Sequence, residues 1–183
     1  MKLYLARHGE TDLNIDDRYQ GRSDAALNER GLAQAQALAQ ALPHDITRIV
    51  ASPMRRAIQT AQAVAHARGL PVHTMEGLRE KDFGCFDGLT PGEVSAHYPD
   101  LWQSGVLTSW DQLIPGGETT RAVVDRVTAC LIELQQQCAQ DTVLLVVHGF
   151  VIRALRYRLD GLREADFFAA ARIGNAEFLV RAI

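Results

Sequence analysis

Hydrophobic residues along this chain recur in two rhythms. Unbroken apolar runs at Leu3 to Ala6, Ile46 to Ala51 and Val143 to Val147 have the length of buried strands. Pro71 to Thr74 and Glu177 to Ile183 read as two further strands. Between the runs the apolar spacing widens to three and four, as an amphipathic helix requires. Glu29 to Leu42 puts Leu32, Ala35, Leu38, Ala39 and Leu42 on one face, with Asn28 as N-cap. A helix with Ser52 as N-cap and Pro53 in its first turn runs to about Arg68 and buries Ile58, Ala61, Val64 and Ala65. Val123, Val127, Cys130, Leu131, Leu134 and Cys138 stripe a long helix from Glu118–Thr120 to about Gln137. Ile152, Leu155 and Leu159 stripe another, which follows His148-Gly149. Strands alternating with helices predict an α/β layer fold on a largely parallel sheet.

Two segments break the rhythm. Leu13 to Asn28 is polar and reads as a surface loop, holding Asn14, Gln20 and Gly21. Residues 81–117 are punctuated by Gly and Pro, carry five of the twelve aromatics, and read as irregular. A connection of that length in a compact domain ordinarily serves as a lid or binding loop. No internal repeat or linker divides the chain, so residues 1–183 are expected to form one domain with a lid-like insertion at about 81–117.

The candidate chemistry sits where strands stop. The first run ends at Arg7-His8-Gly9 and the Val143 run ends at His148-Gly149. Open α/β sheets bind ligands at the carboxyl ends of their strands, and a glycine there permits close backbone approach. One histidine at a strand end is ordinarily a packed structural residue. Two at the same kind of end, one behind an arginine, can share a pocket. His44, His66, His73 and His97 lack that setting and read as surface or packing residues. Arg56 lies in the opening turn of its helix, where free N–H groups already favour an anion. Arg55 points about 100° away, so one pocket can take only one of the two.

Composition narrows the picture. A net charge of −3 offers no nucleic-acid surface. Seventeen arginines against two lysines make any single arginine weak evidence for phosphate binding, so position must decide. Cys85, Cys130 and Cys138 have no metal-ligand spacing, and Cys130 and Cys138, on the apolar stripe of one helix, suit buried thiols in a reducing cytoplasm. The N-terminus reads as a strand rather than a signal peptide. Thr142 to Ile152, the longest charge-free apolar run, is too short to span a bilayer. Between Asp82 and Thr120 there are six acids and no Lys or Arg. Beside a ligand, an acidic lid of that kind favours a neutral, apolar or aromatic group over a further anion.

The chain resembles the histidine phosphatase superfamily, which includes the cofactor-dependent phosphoglycerate mutases. The resemblance rests on Arg7-His8-Gly9-Glu10-Thr11 with Asn14, Gln20-Gly21, Ser52 to Thr60, Leu78-Arg79-Glu80 with Phe83-Gly84, Pro115 to Glu118, and Val147-His148-Gly149. It implies a three-layer α/β/α sandwich. It also implies that His8 becomes phosphorylated, that Arg7, Arg56 and His148 hold the phosphoryl oxygens, and that Glu80 protonates the leaving oxygen. Asn14, Gln20, Gly21 and Gly149 are the expected substrate-binding positions, and no metal or cofactor is implied. Within the family the chain resembles the small phosphatases, α-ribazole phosphatases among them. Mutases carry basic residues after the Glu80 segment and an asparagine where this chain has Phe150.

Three alternatives stay open on the residues alone. One is a phosphoglycerate mutase. Another is a metal-dependent hydrolase built on His8, His148 and nearby carboxylates, although their spacing matches no usual motif and two arginines would repel a cation. The third is a catalytically silent phosphate-binding module. The expected partner is a small-molecule phosphate monoester, with neither nucleic acid nor membrane, and the sequence assigns no oligomeric state.

Overall fold

A computed structural model describes residues 1–183. Five strands form one sheet in the order β3-β2-β4-β1-β5. They are β1 (Lys2–Arg7), β2 (Arg48–Ala51), β3 (Val72–Thr74), β4 (Thr142–Val147) and β5 (Phe178–Ala182). All pair in parallel except β5, which runs antiparallel along β1. Alternation along the strands sends side chains to two faces. Leu3, Leu5, Val143, Leu145 and Val147 join one buried cluster, while Tyr4, Ala6, Ile49, Leu144 and Val146 join the other.

The first cluster is closed by α6 (Thr120–Gln137) and α7 (Gly149–Leu159), the second by α2 (Glu29–Ala41) and α3 (Arg55–Arg68). The result is the expected three-layer α/β/α sandwich. Asn28 caps α2 by accepting from the Gly31 N–H at 2.8 Å.

Several local expectations need correction. Leu32 is 47% exposed. At its first turn α2 meets the body through Gly31, where an added Cβ would collide with the Glu10 carbonyl, and this turns Leu32 outward. Ile58 and Leu159 are only half-buried. Ser52 does not cap α3, which starts later behind Met54 and has no side-chain cap. The Ser52 N–H donates to the Val146 carbonyl, prolonging the β2 ladder, so its hydroxyl points away from the helix. The Leu13 to Asn28 stretch begins with one helical turn, α1 (Asp12–Ile15), closed by a Thr11–Asn14 capping box.

Residues 81–117 are more regular than their composition suggested. They contain α4 (Pro91–His97), with Thr90 and Glu93 forming a capping box, and α5 (Pro99–Gln103). Phe86, Val94, Val106 and Ile114 give the segment a small core of its own. Its base is pinned by close backbone contact, since a Cβ on Gly117 would lie 2.6 Å from the Asp82 carbonyl oxygen.

Candidate active site

Because β1 and β4 are parallel neighbours with Arg7 opposite Val147, both strands stop at the same level. The residues just beyond, His8 and His148, therefore meet. Their ring centroids are 5.1 Å apart and both are buried. Gly9 has ordinary negative φ and earns its place by close approach: a Cβ there would lie 2.5 Å from the Gly31 carbonyl oxygen. Its N–H donates to Thr60 Oγ1 at 3.0 Å, which ties the His8 turn to α3.

The two imidazoles are held in opposite tautomers. His8 Nδ1 lies 2.7 Å from the Gly9 carbonyl oxygen. A carbonyl only accepts, so Nδ1 carries the proton and Nε2 keeps its lone pair. His148 Nδ1 accepts from Arg56 Nε at 3.2 Å, which leaves its Nε2–H to donate to Ser52 Oγ at 2.7 Å. Burial, followed by the charges of Arg56 and Arg7, holds the His8 pKa well below the ordinary imidazole value. Burial and Arg56 do the same for His148. Both rings are neutral at pH 7.

Arg56 is fully buried while Arg55 is exposed, as the helix geometry requires. Arg56 Nη1 donates to the Ser23 carbonyl at 2.8 Å, and Nη2 to the carbonyls of Gln20 and Gly21, each at 3.3 Å. Desolvation lowers its pKa to about 10, so it stays charged at neutral pH. Arg7 Nη1 donates to the Ile173 carbonyl at 3.0 Å, whereas its buried Nε has no acceptor.

Glu80 is nearly buried. Its Oε1 accepts from the Lys81 N–H at 2.9 Å and its Oε2 from the Phe150 N–H at 3.2 Å. The backbone beneath it is clamped by Arg126, which donates to the carbonyls of Gly77, Arg79 and Glu80 and pairs with Glu118 at 2.9 Å. Glu118 in turn accepts from the Asp82 N–H at 2.9 Å. The Pro115 to Glu118 motif thus acts on the acid through Arg126, at a distance in sequence that periodicity does not register.

A cavity of about 560 Å³ opens over these groups. Arg7, His8, Asn14, Gln20, Glu80 and Gly149 line it. Arg56, His148 and Gly21 do not; they stand behind the wall and reach it through their neighbours. Gln20 Oε1 accepts from Thr11 Oγ1 at 3.0 Å, and its buried Nε2 has no acceptor. Asn175, which the sequence reading missed, donates from Nδ2 to the His8 carbonyl and to Asn14 Oδ1, each at 3.1 Å.

The acidic stretch does not face this cavity. From residues 81–117 only Phe83 and Pro91 line it. Asp82 pairs with Arg22, Glu93 with Arg18, Asp111 with Arg121 and Glu118 with Arg126, while Asp87 accepts from the N–H groups of Gly21 and Ser23. Arginines from outside the segment thus neutralise four of the six acids between Asp82 and Thr120. Basic side chains come instead from elsewhere: Arg18, Arg153 and Arg172 are all on the wall. No three His, Cys, Asp or Glu side chains converge in a geometry that would hold a metal ion. No helix is long and apolar enough to cross a membrane.

The family model for the histidine phosphatase superfamily (branch 1) matches residues 3–180. The chain belongs to that family. It is accordingly a phosphatase acting on phosphate monoesters. Phosphoserine phosphatase 1 of Hydrogenobacter thermophilus is 34% identical over 92% of this chain and 81% of its own. A mycobacterial glucosyl-3-phosphoglycerate phosphatase solved with VO3 superposes with a TM-score of 0.89 at 33% identity, covering 98% of this chain and 90% of that one. The α-ribazole phosphatase of Shigella flexneri gives a TM-score of 0.85 at 29% identity, covering 98% and 89%.

Proposed function

We propose that this phosphatase works through a phosphohistidine on His8, with Glu80 as general acid and then base. The observation that carries the reading is a pair of buried donors without an internal acceptor, Arg7 Nε and Gln20 Nε2, on the wall beside a neutral imidazole. Buried donors are almost always paired. The one other orphan, Arg68 Nε, lies away from the cavity, on a side chain that donates to the Ala39 and Leu42 carbonyls. Phosphoryl oxygens suit both donors at the site.

His8 Nε2 attacks phosphorus, and the N–P bond forms as the P–O bond to the alcohol breaks. Glu80 gives its proton to the departing oxygen. The resulting carboxylate then takes a proton from water, whose oxygen displaces His8 and releases inorganic phosphate. Charge on the equatorial oxygens is the main thing to stabilise in such a transfer. Arg7 and Gln20 act by direct donation. Arg56 contributes its charge, pre-oriented by three backbone carbonyls and held against His148. Asn14 and Gly21 shape the approach. Gly149 keeps the gap open, since a Cβ there would sit 3.9 Å from Arg7 Nε and 4.0 Å from Glu80 Oε2.

Tyr19, Phe83 and Phe150 on the wall would favour an alcohol that bears a ring, such as a ribazole. The arginines sharing that wall favour a different one, argued below. The free thiols of Cys130 and Cys138 suit the cytoplasmic setting expected from the sequence.

The test is acid-quench trapping with a 32P-labelled monoester. His8→Ala should carry no acid-labile label. Glu80→Gln should still be labelled while turnover falls by ~10²–10⁴, the usual worth of acid–base help. Acid-labile label on His8→Ala overturns the assignment.

A further inference from the structure

Ten of the seventeen arginines are paired with carboxylates within 4.0 Å. Of the seven that are not, Arg7 and Arg56 belong to the phosphoryl cradle and Arg68 is held by two backbone carbonyls. Arg55 and Arg158 project into solvent. The last two, Arg153 and Arg172, line the cavity, and neither makes a hydrogen bond or ion pair within the protein.

Both are anchored to the site already described. Arg153 lies four residues after Gly149 on α7, so it shares that residue's helix face. Its guanidinium carbon sits 5.8 Å from each of the Phe150 and Phe167 rings, which hold the cation by its faces and leave its N–H edges uncommitted. Arg172 adjoins Ile173, whose carbonyl receives Arg7 Nη1. The carboxylates on the same wall are Asp17 and Glu80, and neither pairs with Arg153 or Arg172. Two like charges facing one cavity repel, and the fold keeps them there with neither in an ion pair.

Resting on the phosphohistidine reading above, we propose that Arg153 and Arg172 form a second anion subsite, and that the substrate is a phosphomonoester whose alcohol part carries a carboxylate. The charge count selects a carboxylate over a second phosphate. Arg7 and Arg56 answer the dianionic phosphoryl group, and Glu80 is committed to the leaving oxygen. Arg153 and Arg172 against Asp17 leave one positive charge, which a single carboxylate balances and a second phosphate dianion exceeds. Arg18, the other cation on the wall, is already paired with Glu93 at 2.8 Å. Guanidinium forks match the two oxygens of a carboxylate in geometry as well as charge. The acidic character of residues 81–117 does not oppose such a substrate, because none of its carboxylates lines the cavity.

The experiment compares 3-phosphoglycerate with glycerol 3-phosphate, which share a three-carbon skeleton and differ in the carboxylate. Wild-type kcat/KM should favour 3-phosphoglycerate by at least about tenfold, the scale of one charge-assisted contact. In Arg172→Gln that preference should shrink by about tenfold, carried by KM rather than kcat. Arg172 is exposed and makes no internal bond, so its removal leaves folding intact. Arg153→Gln provides the second reading, with Arg153→Lys restoring part of the preference through charge alone. A wild-type ratio near or below one, or a ratio that neither variant moves, overturns the subsite. Faster turnover of 2,3-bisphosphoglycerate than of 3-phosphoglycerate overturns the carboxylate assignment. His8-dependent turnover of p-nitrophenyl phosphate, which has no second anion, reports on the phosphohistidine reading separately.

Discussion

Lys81 is the residue after the proposed acid, and its side chain is fully buried. Its ammonium donates to Thr120 Oγ1 at 3.2 Å and lies 4.8 Å from the Phe150 ring centre. Burial lowers its pKa from 10.5 to about 8, against the opposing pull of Glu118 and Glu80. Each pH unit of such a gap is worth about 1.4 kcal/mol, so the charged lysine costs the fold about 3 kcal/mol relative to its neutral form. The sign follows from linkage. Below about pH 8 folded and unfolded chains both carry the proton, and the full cost is present. Between about 8 and 10.5 the folded chain sheds its proton first, so stability is gained as pH rises. Lys81→Met fills the same space without a charge, and Thr120 Oγ1 stays satisfied by its own bond to the Ser109 carbonyl at 2.8 Å. Urea unfolding of both proteins at several pH values from 7 to 10 isolates the residue, because groups common to both cancel in the difference. The stability of Lys81→Met relative to wild type should be greatest at pH 7 and should decline by about 2–3 kcal/mol by pH 10. A difference that stays flat across this range would mean that the amine is not desolvated, and the reasoning would fail.

Two further outcomes are expected. Because burial and the charges of Arg56 and Arg7 depress the His8 pKa, the ring should remain neutral as pH falls through 6.5, and an NMR titration of its ring nitrogens reads this directly. The stability linked to His8 is therefore complete above 6.5 and is lost as pH drops toward its folded value; protonation at 6.5 or above would contradict this. Ser52→Ala removes the acceptor of the His148 Nε2–H, and leaving that buried donor unpaired should destabilise the protein by about 1–3 kcal/mol. Unchanged denaturant stability, with His148 still protonated at Nε2, would show that Ser52 does not fix the ring.

The sequence was legible wherever structure depends on short-range order. Strand ends, helix stripes and caps repeat over a few residues, so the sandwich and its two converging histidines could be read directly. Some local signals lack a period to support them. The Thr90-Pro91-Gly92-Glu93 capping box marks α4, yet a seven-residue helix is too short to establish a period. Ser52 looked like a cap because its letters fit one, while the neighbouring strand claimed its backbone and His148 its hydroxyl. Leu32 fitted the stripe of α2, but the close approach at Gly31 tilted it into solvent.

Charge was the least legible property. The six acids between Asp82 and Thr120 dominate their own stretch of chain, and only folding brings Arg18, Arg22, Arg121 and Arg126 to neutralise four of them. The same folding leaves Arg153 and Arg172 facing the cavity without partners. By itself the sequence determined the layers and the two strand-end histidines, because each is written in neighbouring residues. The tertiary structure decided which nitrogen of each ring holds its proton and what charge the cavity wall presents. Hydrogen bonds and Coulomb interactions act through space, between side chains that lie far apart along the chain.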